Sequence, residues 1–236
     1  MSFLKAEWRK LAMANYVVDP EILKPYLPFK TALDLWEGKC YVSLVGFMFL
    51  ETKVLGLKIP YHVNFEEVNL RFYVKHADGK GWKRGVVFIK EIVPKRMITF
   101  VANTVYKEHY ETMKMNHLWL KHNDSLETVY QWKKDGKWNV FSVLTDINAY
   151  EIIENSEVEF ITEHYWGYSH QGDKKAIEYE VRHPKWQHYP VLKHEIDVDF
   201  GSVYGNDFAF LKDLSPASVF LAEGSEISVE SKKVIV

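Results

Sequence analysis

The chain has 236 residues, 47% of them apolar and 15% aromatic, which is enough for a substantial core in one large domain. Its 30 basic and 32 acidic side chains give a net charge of −2, and no basic tract supports a nucleic-acid partner. A single cysteine excludes a disulfide framework, and the longest apolar run, residues 42–50, is too short to span a membrane. Because no signal-peptide core is visible, we expect a cytoplasmic protein without a membrane partner, and its oligomeric state stays open.

Two elements are predicted within the first fifty residues. Asp19 followed by Pro20 is typical of the start of a short helix, because the carboxylate accepts free backbone N–H groups and proline lacks one. Farther along, residues 33–36 and 40–50 flank a turn at residues 37–39. This arrangement predicts a β-hairpin.

The most informative stretch begins at residue 65, where apolar and polar side chains alternate. Side chains two apart share one face of a strand, so the pattern predicts a strand with one apolar and one polar face. A turn at residues 78–81 then predicts a hairpin whose second run covers residues 84–96, and a third run covers residues 97–106. The apolar face carries Val68, Leu70, Phe72 and Val74, and the polar face carries Glu67, Asn69, Arg71, Tyr73 and Lys75.

The second half of the chain also reads mainly as strands. An Asp135-Gly136 turn predicts another hairpin, and residues 143–155 predict a short helix capped by Thr145 or Asp146. Turn signals recur at short intervals to the end of the chain, as is typical of an all-β sandwich or barrel. The sequence therefore predicts one domain over residues 1–236, mainly β (α+β), with two or three short helices.

The polar face of the first central strand has two interpretations. In the first, it lines the inside of a barrel and binds a small ligand through Glu67, Asn69, Arg71 and Tyr73. Arg71 and the nearby Arg84 would then offer forked donors to a substrate carboxylate. In the second, the face is the solvated side of a half-buried antiparallel strand.

Several stretches spread over nearly the whole chain resemble one family. They are Asn15-Tyr16-x-Val18-Asp19-Pro20, Tyr41 to Phe47, Phe65-x-Glu67-Val68-Asn69-Leu70-Arg71, Glu91-Ile92-Val93-Pro94, Glu163 to Tyr168, His183-Pro184-x-Trp186 and Ala222-Glu223-Gly224-Ser225. Together they are similar to the YqjF-like family of uncharacterised conserved bacterial proteins, which is placed with the acetoacetate-decarboxylase-like superfamily. The resemblance implies a closed antiparallel β-barrel with a central cavity and a few peripheral helices.

The same resemblance implies a candidate catalytic set of Glu91, Lys95 and Arg96. Acetoacetate decarboxylases carry a Glu followed by Tyr-Pro-Lys-Lys, in which the first lysine forms a Schiff base and the second lowers its pKa. Here the gap between Glu91 and Pro94 is shorter, the tyrosine is absent, and Arg96 replaces the second lysine. A Schiff-base lysine must be neutral, which requires burial or a neighbouring cation. The alternative is that Lys95-Arg96 is an exposed turn between strands.

No pattern in the sequence indicates a metal or a cofactor. The ten histidines lack the spacing of a zinc site, and no glycine-rich phosphate loop follows a strand. Ser225 has no Gly-x-Ser-x-Gly elbow, and Cys40 lies in an apolar strand, which is typical of core packing. We therefore expect neither a metal nor a cofactor.

Two functions remain, and the sequence leaves open whether the protein is an enzyme. The first is a barrel that binds a small metabolite, apolar or carboxylate-bearing, in its cavity. The second is a lyase that acts on a small keto acid through a Schiff base at Lys95. A third possibility is a scaffold whose barrel is filled by its own side chains.

Overall fold

A computed structural model describes residues 2–236 and shows a mainly β protein with short helices at its periphery. The strands are β1 (Leu4–Val18), β2 (Thr31–Leu33), β3 (Cys40–Val54), β4 (Phe65–Ala77), β5 (Trp82–Val93), β6 (Tyr110–Thr112), β7 (Lys114–Lys121), β8 (Ser125–Lys134), β9 (Lys137–Asp146), β10 (Tyr150–Glu151), β11 (Trp166–His170), β12 (Ala176–Arg182), β13 (Gln187–Asp197), β14 (Ser218–Val229) and β15 (Lys233–Ile235). The α-helices are α1 (Pro20–Leu23), α2 (Arg96–Val101), α3 (Glu157–Thr162) and α4 (Phe200–Tyr204). Two 3₁₀ segments cover Lys24–Tyr26 and Asn206–Asp213, and a π-helical turn, Ala102–Tyr106, follows α2. Within the described part of the chain, no helix has the length and apolar character needed to cross a membrane.

The strand pairings run in the order β12-β11-β5-β4-β3-β1-β14. Two further residue pairs, Val181 with Val229 and Arg182 with Ser228, link β12 back to β14. From β14 the sheet also continues outward through β13, β9, β8 and β7. The pairings of these seven strands, β12 to β14, thus form a continuous ring, and the outer strands pack against part of it.

Strand β4 is buried on both faces. Its apolar face, which includes Val68 and Phe72, packs in one core cluster with Tyr130 and Trp132 of the outer strand β8. The polar face is buried as well, and Glu67 is only 2% exposed. The interpretation of this face as a solvated surface is therefore wrong.

The turn chemistry behind two hairpins and one helix is confirmed. In the β4–β5 hairpin, Asp78 Oδ1 accepts hydrogen bonds from the backbone N–H groups of Lys80 and Gly81 at 2.9 and 3.2 Å. In the β8–β9 hairpin, Asp135 and Gly136 both have positive φ, the conformation that a tight two-residue turn requires. Helix α1 begins where it was predicted, and Asp19 Oδ1 accepts from the Glu21 N–H at 2.9 Å.

The predicted hairpin of residues 33–36 with residues 40–50 is wrong. Strand β2 pairs with β4, through Thr31–His76 to Leu33–Val74, and only an isolated bridge joins Trp36 to Lys39. Strand β3 instead pairs with β1 and β4 along most of its length. The two long partners supply more hydrogen bonds and apolar contacts than a short hairpin would, so they determine the pairing.

The run at residues 97–106 is helical, whereas the sequence pattern places it as a third run after the two predicted strands. Pro94 has no N–H group and ends the ladder of β5. The next strand, β6, pairs with β5 in parallel, so the intervening chain must cross over, and a helix is the usual form of such a connection.

The helix predicted within residues 143–155 is also wrong. Strand β9 continues through Thr145 to Asp146, because it has partners on both sides in β8 and β13. The helix of this region begins later, at Glu157, where Ser156 accepts a hydrogen bond from the Glu159 N–H.

Candidate functional site

A cavity of about 240 Å³ lies inside the ring of strands. Its lining is mainly aromatic and aliphatic and includes Trp8, Phe47, Phe49, Phe65, Phe88, Trp166 and Trp186. Met97 of α2 and Ile59 of the loop before β4 also line it and are largely exposed, which places the open side of the cavity between these segments. The interior is therefore not filled by its own side chains, as a pure scaffold would require.

Strand β4 places three polar side chains along one wall of the cavity. Glu67, Asn69 and Arg71 are two residues apart, so they point to the same face, and all three line the cavity. Asn69 pairs in register with Glu91 of β5, which in turn pairs with Tyr110 of β6. Three neighbouring strands thus present their polar groups side by side.

Three buried carboxyl groups, those of Glu67, Glu91 and Glu108, dominate this wall. The Glu67 carboxylate accepts hydrogen bonds from Asn69 Nδ2 and from the Tyr110 hydroxyl, both at 3.1 Å. The Glu108 carboxylate accepts from the Tyr179 hydroxyl at 2.8 Å. We call these six residues, Glu67, Asn69, Glu91, Glu108, Tyr110 and Tyr179, the carboxyl cluster.

Burial changes the protonation of the carboxyl cluster. It raises the pKa of Glu67 to about 7 and that of Glu108 to about 8. The pKa of Glu91 is raised well above its ordinary value, first by burial and then by the charges of Glu108 and Glu67. Near neutral pH these groups therefore hold protons that exposed carboxylates would have released.

Several polar atoms at the cavity wall have no hydrogen-bond partner. Among the described residues these include Glu91 Oε2, Asn69 Oδ1 and Arg71 Nε. A buried polar atom without a partner costs free energy, so such atoms in a cavity wall are positions where a ligand can supply the missing contact.

The guanidinium of Arg71 lies beside this wall. Its Nη2 donates to the Ile161 carbonyl at 3.3 Å, and its Cζ lies 5.7 Å from the centre of the Tyr73 ring. Tyr73 itself is hydrogen-bonded to Ser43 at 2.7 Å and does not line the cavity. Arg84 lies outside the lining as well, because its Nε pairs with Asp34 at 2.6 Å.

A second buried polar group contains His164 and Asp34. His164 lines the cavity, and its Nε2 lies 3.2 Å from Asp34 Oδ2. Burial lowers the pKa of His164 to about 4, so the ring is neutral near pH 7. Burial alone would raise the pKa of Asp34, but hydrogen bonds from His164 and Arg84 outweigh it and lower that pKa to about 2.

The structure separates the three residues predicted to be catalytic. Glu91 lines the cavity, whereas Lys95 and Arg96 do not. Lys95 lies just before α2, where its charge helps to lower the pKa of Glu66. Glu66 precedes Glu67 on β4, so it points away from the cavity, toward His117 of β7.

Glu108, Tyr110, Tyr179 and His164 were not predicted as site residues. Glu108 precedes the short β6, Tyr110 is the first residue of that strand, and Tyr179 reaches the cavity across Gly167 of β11. His164 lies in the family-like stretch from Glu163 to Tyr168, which was the one available signal, whereas no local pattern marks the other three, because they meet only through strand pairing. Across residues 2–236, no group of three or more His, Cys, Asp or Glu side chains is arranged to hold a metal ion.

Comparison with known proteins gives both a family and a fold. Residues 5–226 match the model of the DUF2071 family, described as an uncharacterised conserved protein. The uncharacterised protein YqjF of Bacillus subtilis (strain 168) is 27% identical over 187 residues, which cover 78% of this chain and 74% of YqjF. The predicted resemblance to YqjF-like proteins is thus confirmed.

Solved structures with the same fold are acetoacetate-decarboxylase-like. Acetoacetate decarboxylase from Legionella pneumophila aligns with a TM-score of 0.68 at 10% identity, covering 99% of this chain and 87% of that one. The enduracididine biosynthesis enzyme MppR, complexed with pyruvate, gives a TM-score of 0.68 at 10% identity, covering 99% and 91%. At this identity the similarity shows the fold and leaves the activity open.

Proposed function

The chain belongs to the DUF2071 family of uncharacterised conserved proteins, and we propose that it binds a small, largely apolar metabolite in the cavity inside its ring of strands. The observation that carries the proposal is the wall formed by β4 and β5. In that wall Asn69, Arg71 and Glu91 face an apolar space with polar atoms that have no partner. An apolar pocket with a few convergent polar groups is the usual form of a small-molecule site.

We propose that the ring of pairings acts as a closed barrel. The link between β12 and β14 supports this, because it joins the two ends of the seven-strand path. Closure would leave the gap beside α2 as the route by which a ligand enters. One fold neighbour, MppR, was solved in complex with pyruvate, which supports a small-molecule ligand for a protein of this fold.

A carboxylate on the ligand would meet Arg71. Its guanidinium is buried at the wall, and its Nε is free. The fork of an arginine suits a carboxylate, and the other predicted arginine, Arg84, is already held by Asp34. We therefore assign ligand contacts to Glu67, Asn69 and Arg71 and leave Tyr73 and Arg84 out of the site.

The alternative function, a keto-acid lyase that uses Lys95, has less support. It needs the Lys95 amine in the cavity beside Glu91, and Lys95 lies outside the lining. Arg96, the candidate neighbouring cation, is exposed at the first position of α2. We therefore place binding ahead of lysine chemistry.

We also propose that the whole chain is one domain that works in the cytoplasm. The core clusters combine residues from both ends of the chain, such as Leu4 with Val229, which supports a single unit. Its one cysteine, Cys40, is buried and free, which suits a reducing compartment.

A substitution that fills the cavity tests the binding proposal. Val101 lines the cavity from α2, so Val101→Trp should fill the space and reduce the affinity for n-heptanol by about tenfold or more, as measured by calorimetry. Phe100→Trp is the matched control, because Phe100 is 65% exposed on the same helix and does not line the cavity. Equal affinity in all three proteins, or no binding by the wild type, would contradict the proposal.

A further inference from the structure

Two side chains with a partnerless oxygen atom belong to directly paired residues in the cavity wall. Asn69 and Glu91 are register partners on antiparallel strands, so their Cβ atoms are about 5 Å apart. Asn69 Oδ1 and Glu91 Oε2 both lack a hydrogen-bond partner, and both side chains are at most 2% exposed. Asn69 Nδ2 is engaged by Glu67, which leaves the amide oxygen as the free end.

An amide oxygen can only accept hydrogen bonds. A carboxylate also only accepts when it is ionised. The group that fits between Asn69 Oδ1 and an ionised Glu91 must therefore carry more than one N–H or O–H. A protonated primary amine has three donors and a positive charge, whereas a ligand carboxylate has none.

Three carboxyl groups and one guanidinium surround this position, so the charge of an entering cation can be balanced when one carboxyl group ionises. The groups that face it are Glu67 and Arg71 from β4, Glu91 from β5, Glu108 and Tyr110 from the β6 segment, and Tyr179 from β12. Arg71 is the only Lys or Arg among the described lining residues, so one guanidinium faces three carboxyl groups. His164 and His183, which also line the cavity, have pKa values lowered to about 4 by burial and add no charge near pH 7.

We propose that the cavity ligand carries a primary amine, which binds as an ammonium group between Asn69 Oδ1 and the Glu91 carboxylate. This inference rests on the proposed function and adds the chemical class of the ligand's polar end. The ammonium enters with its proton, and Glu91 releases its own proton to solvent as it ionises. One proton is thus released for each amine bound, and no bond other than Glu91 O–H is broken. Arg71 stays available for a second, anionic group on the same ligand.

Calorimetry with two probes of the same length tests the amine. At pH 7 we expect n-heptylamine to bind the wild type about tenfold or more tightly than n-heptanol, because a charged hydrogen bond contributes more than a neutral one. Glu91→Gln should reduce the affinity for heptylamine by about tenfold and that for heptanol by less than about twofold. Repeating the titration in buffers of different ionisation enthalpy should show proton release with heptylamine only.

The matched control is Glu111→Gln. Glu111 is a carboxylate of the neighbouring strand β6, but it pairs with Lys90 at 2.8 Å and Lys134 at 2.6 Å and does not line the cavity. This variant should leave both affinities unchanged. Asn69→Leu, which removes the other free oxygen, should weaken heptylamine binding selectively and serves if Glu91→Gln fails to fold.

The outcomes separate the inference from the proposed function. If heptylamine binds no more tightly than heptanol, or if Glu111→Gln weakens it as much as Glu91→Gln, the amine assignment is wrong. If heptanol binding is at the same time blocked by Val101→Trp, the cavity still binds a ligand and only the inference fails. If Val101→Trp changes neither probe's affinity, the proposed function fails with it.

Discussion

At the scale of single residues, the alternation along β4 is the feature that could be read from the sequence. It identified Glu67, Asn69 and Arg71 as one polar face, and the structure places all three at the cavity. It could not identify Glu108 or Tyr179, because these residues reach the same wall from distant parts of the chain. Nor could it separate inward from outward positions near Pro94, where the regular alternation of the strand ends.

The buried carboxyl groups predict an unusual dependence of stability on pH. Their pKa values are higher in the folded than in the unfolded protein, so the folded state binds protons more tightly. From about pH 5 the unfolded state releases these protons first, and the free energy of unfolding should fall as the pH rises through about 7 to 8. Each such group contributes a slope of up to about 1.4 kcal/mol per pH unit in that window.

Urea unfolding between pH 5 and 8 measures this slope. Glu108→Gln removes one of the raised groups and keeps an oxygen for Tyr179, so its stability should decline less steeply than that of the wild type. Glu111→Gln is the control: it removes a carboxyl group that is ionised in both the folded and the unfolded state between pH 5 and 8, so the slope should match that of the wild type. Burial would raise the pKa of Glu111, but Lys134 and Lys90 outweigh it and lower that pKa. A wild type whose stability is flat or rises from pH 5 to 8, with no change in Glu108→Gln, would show that these carboxyl groups are not buried as described.

At the scale of elements, local turn chemistry was a good guide and strand pairing was not. Asp78 and Asp135 with their glycines mark hairpins because the turn itself requires those residues. The partner of β2 and the helix after Pro94 depend on which strand edges are free in the assembled sheet. The sequence of a short segment does not indicate which strand edges are free, so the pairing of β2 with β4 could not be predicted.

One strand position is restricted by the packing of its neighbour. A Cβ atom on Gly167 of β11 would lie 2.1 Å from Cζ of the Tyr179 ring, so the ring occupies the space of the missing side chain. Gly167→Ala should displace Tyr179 from Glu108 and lower the free energy of unfolding by about 1–3 kcal/mol, as is typical of an overfilled core. Denaturant unfolding measures the loss. Gly81→Ala is the control, since nothing lies within 4 Å of its Cβ position; an equal effect in both would exclude the packing argument.

At the scale of the whole molecule, the chain combines an apolar interior with one wall of protonatable groups. The sequence shows the apolar residues of the interior and the polar residues of the wall. Their arrangement around the cavity depends on pairings such as β12 with β14, whose residues are far apart in the chain. The fold shared with acetoacetate decarboxylase accounts for the arrangement of the strands, and the polar side chains of this chain determine the chemistry of the cavity wall. Because Lys95 lies outside the cavity and Glu91 lies inside it, ligand binding is favoured over Schiff-base chemistry at Lys95.

A crystal structure of the protein with n-heptanol tests the central claim most directly. The electron density of the alcohol should lie within the cavity, in contact with Phe88 and close to Asn69 and Glu91. A structure in which aromatic side chains fill that space, with Arg71 turned to solvent and the alcohol bound elsewhere, would contradict it.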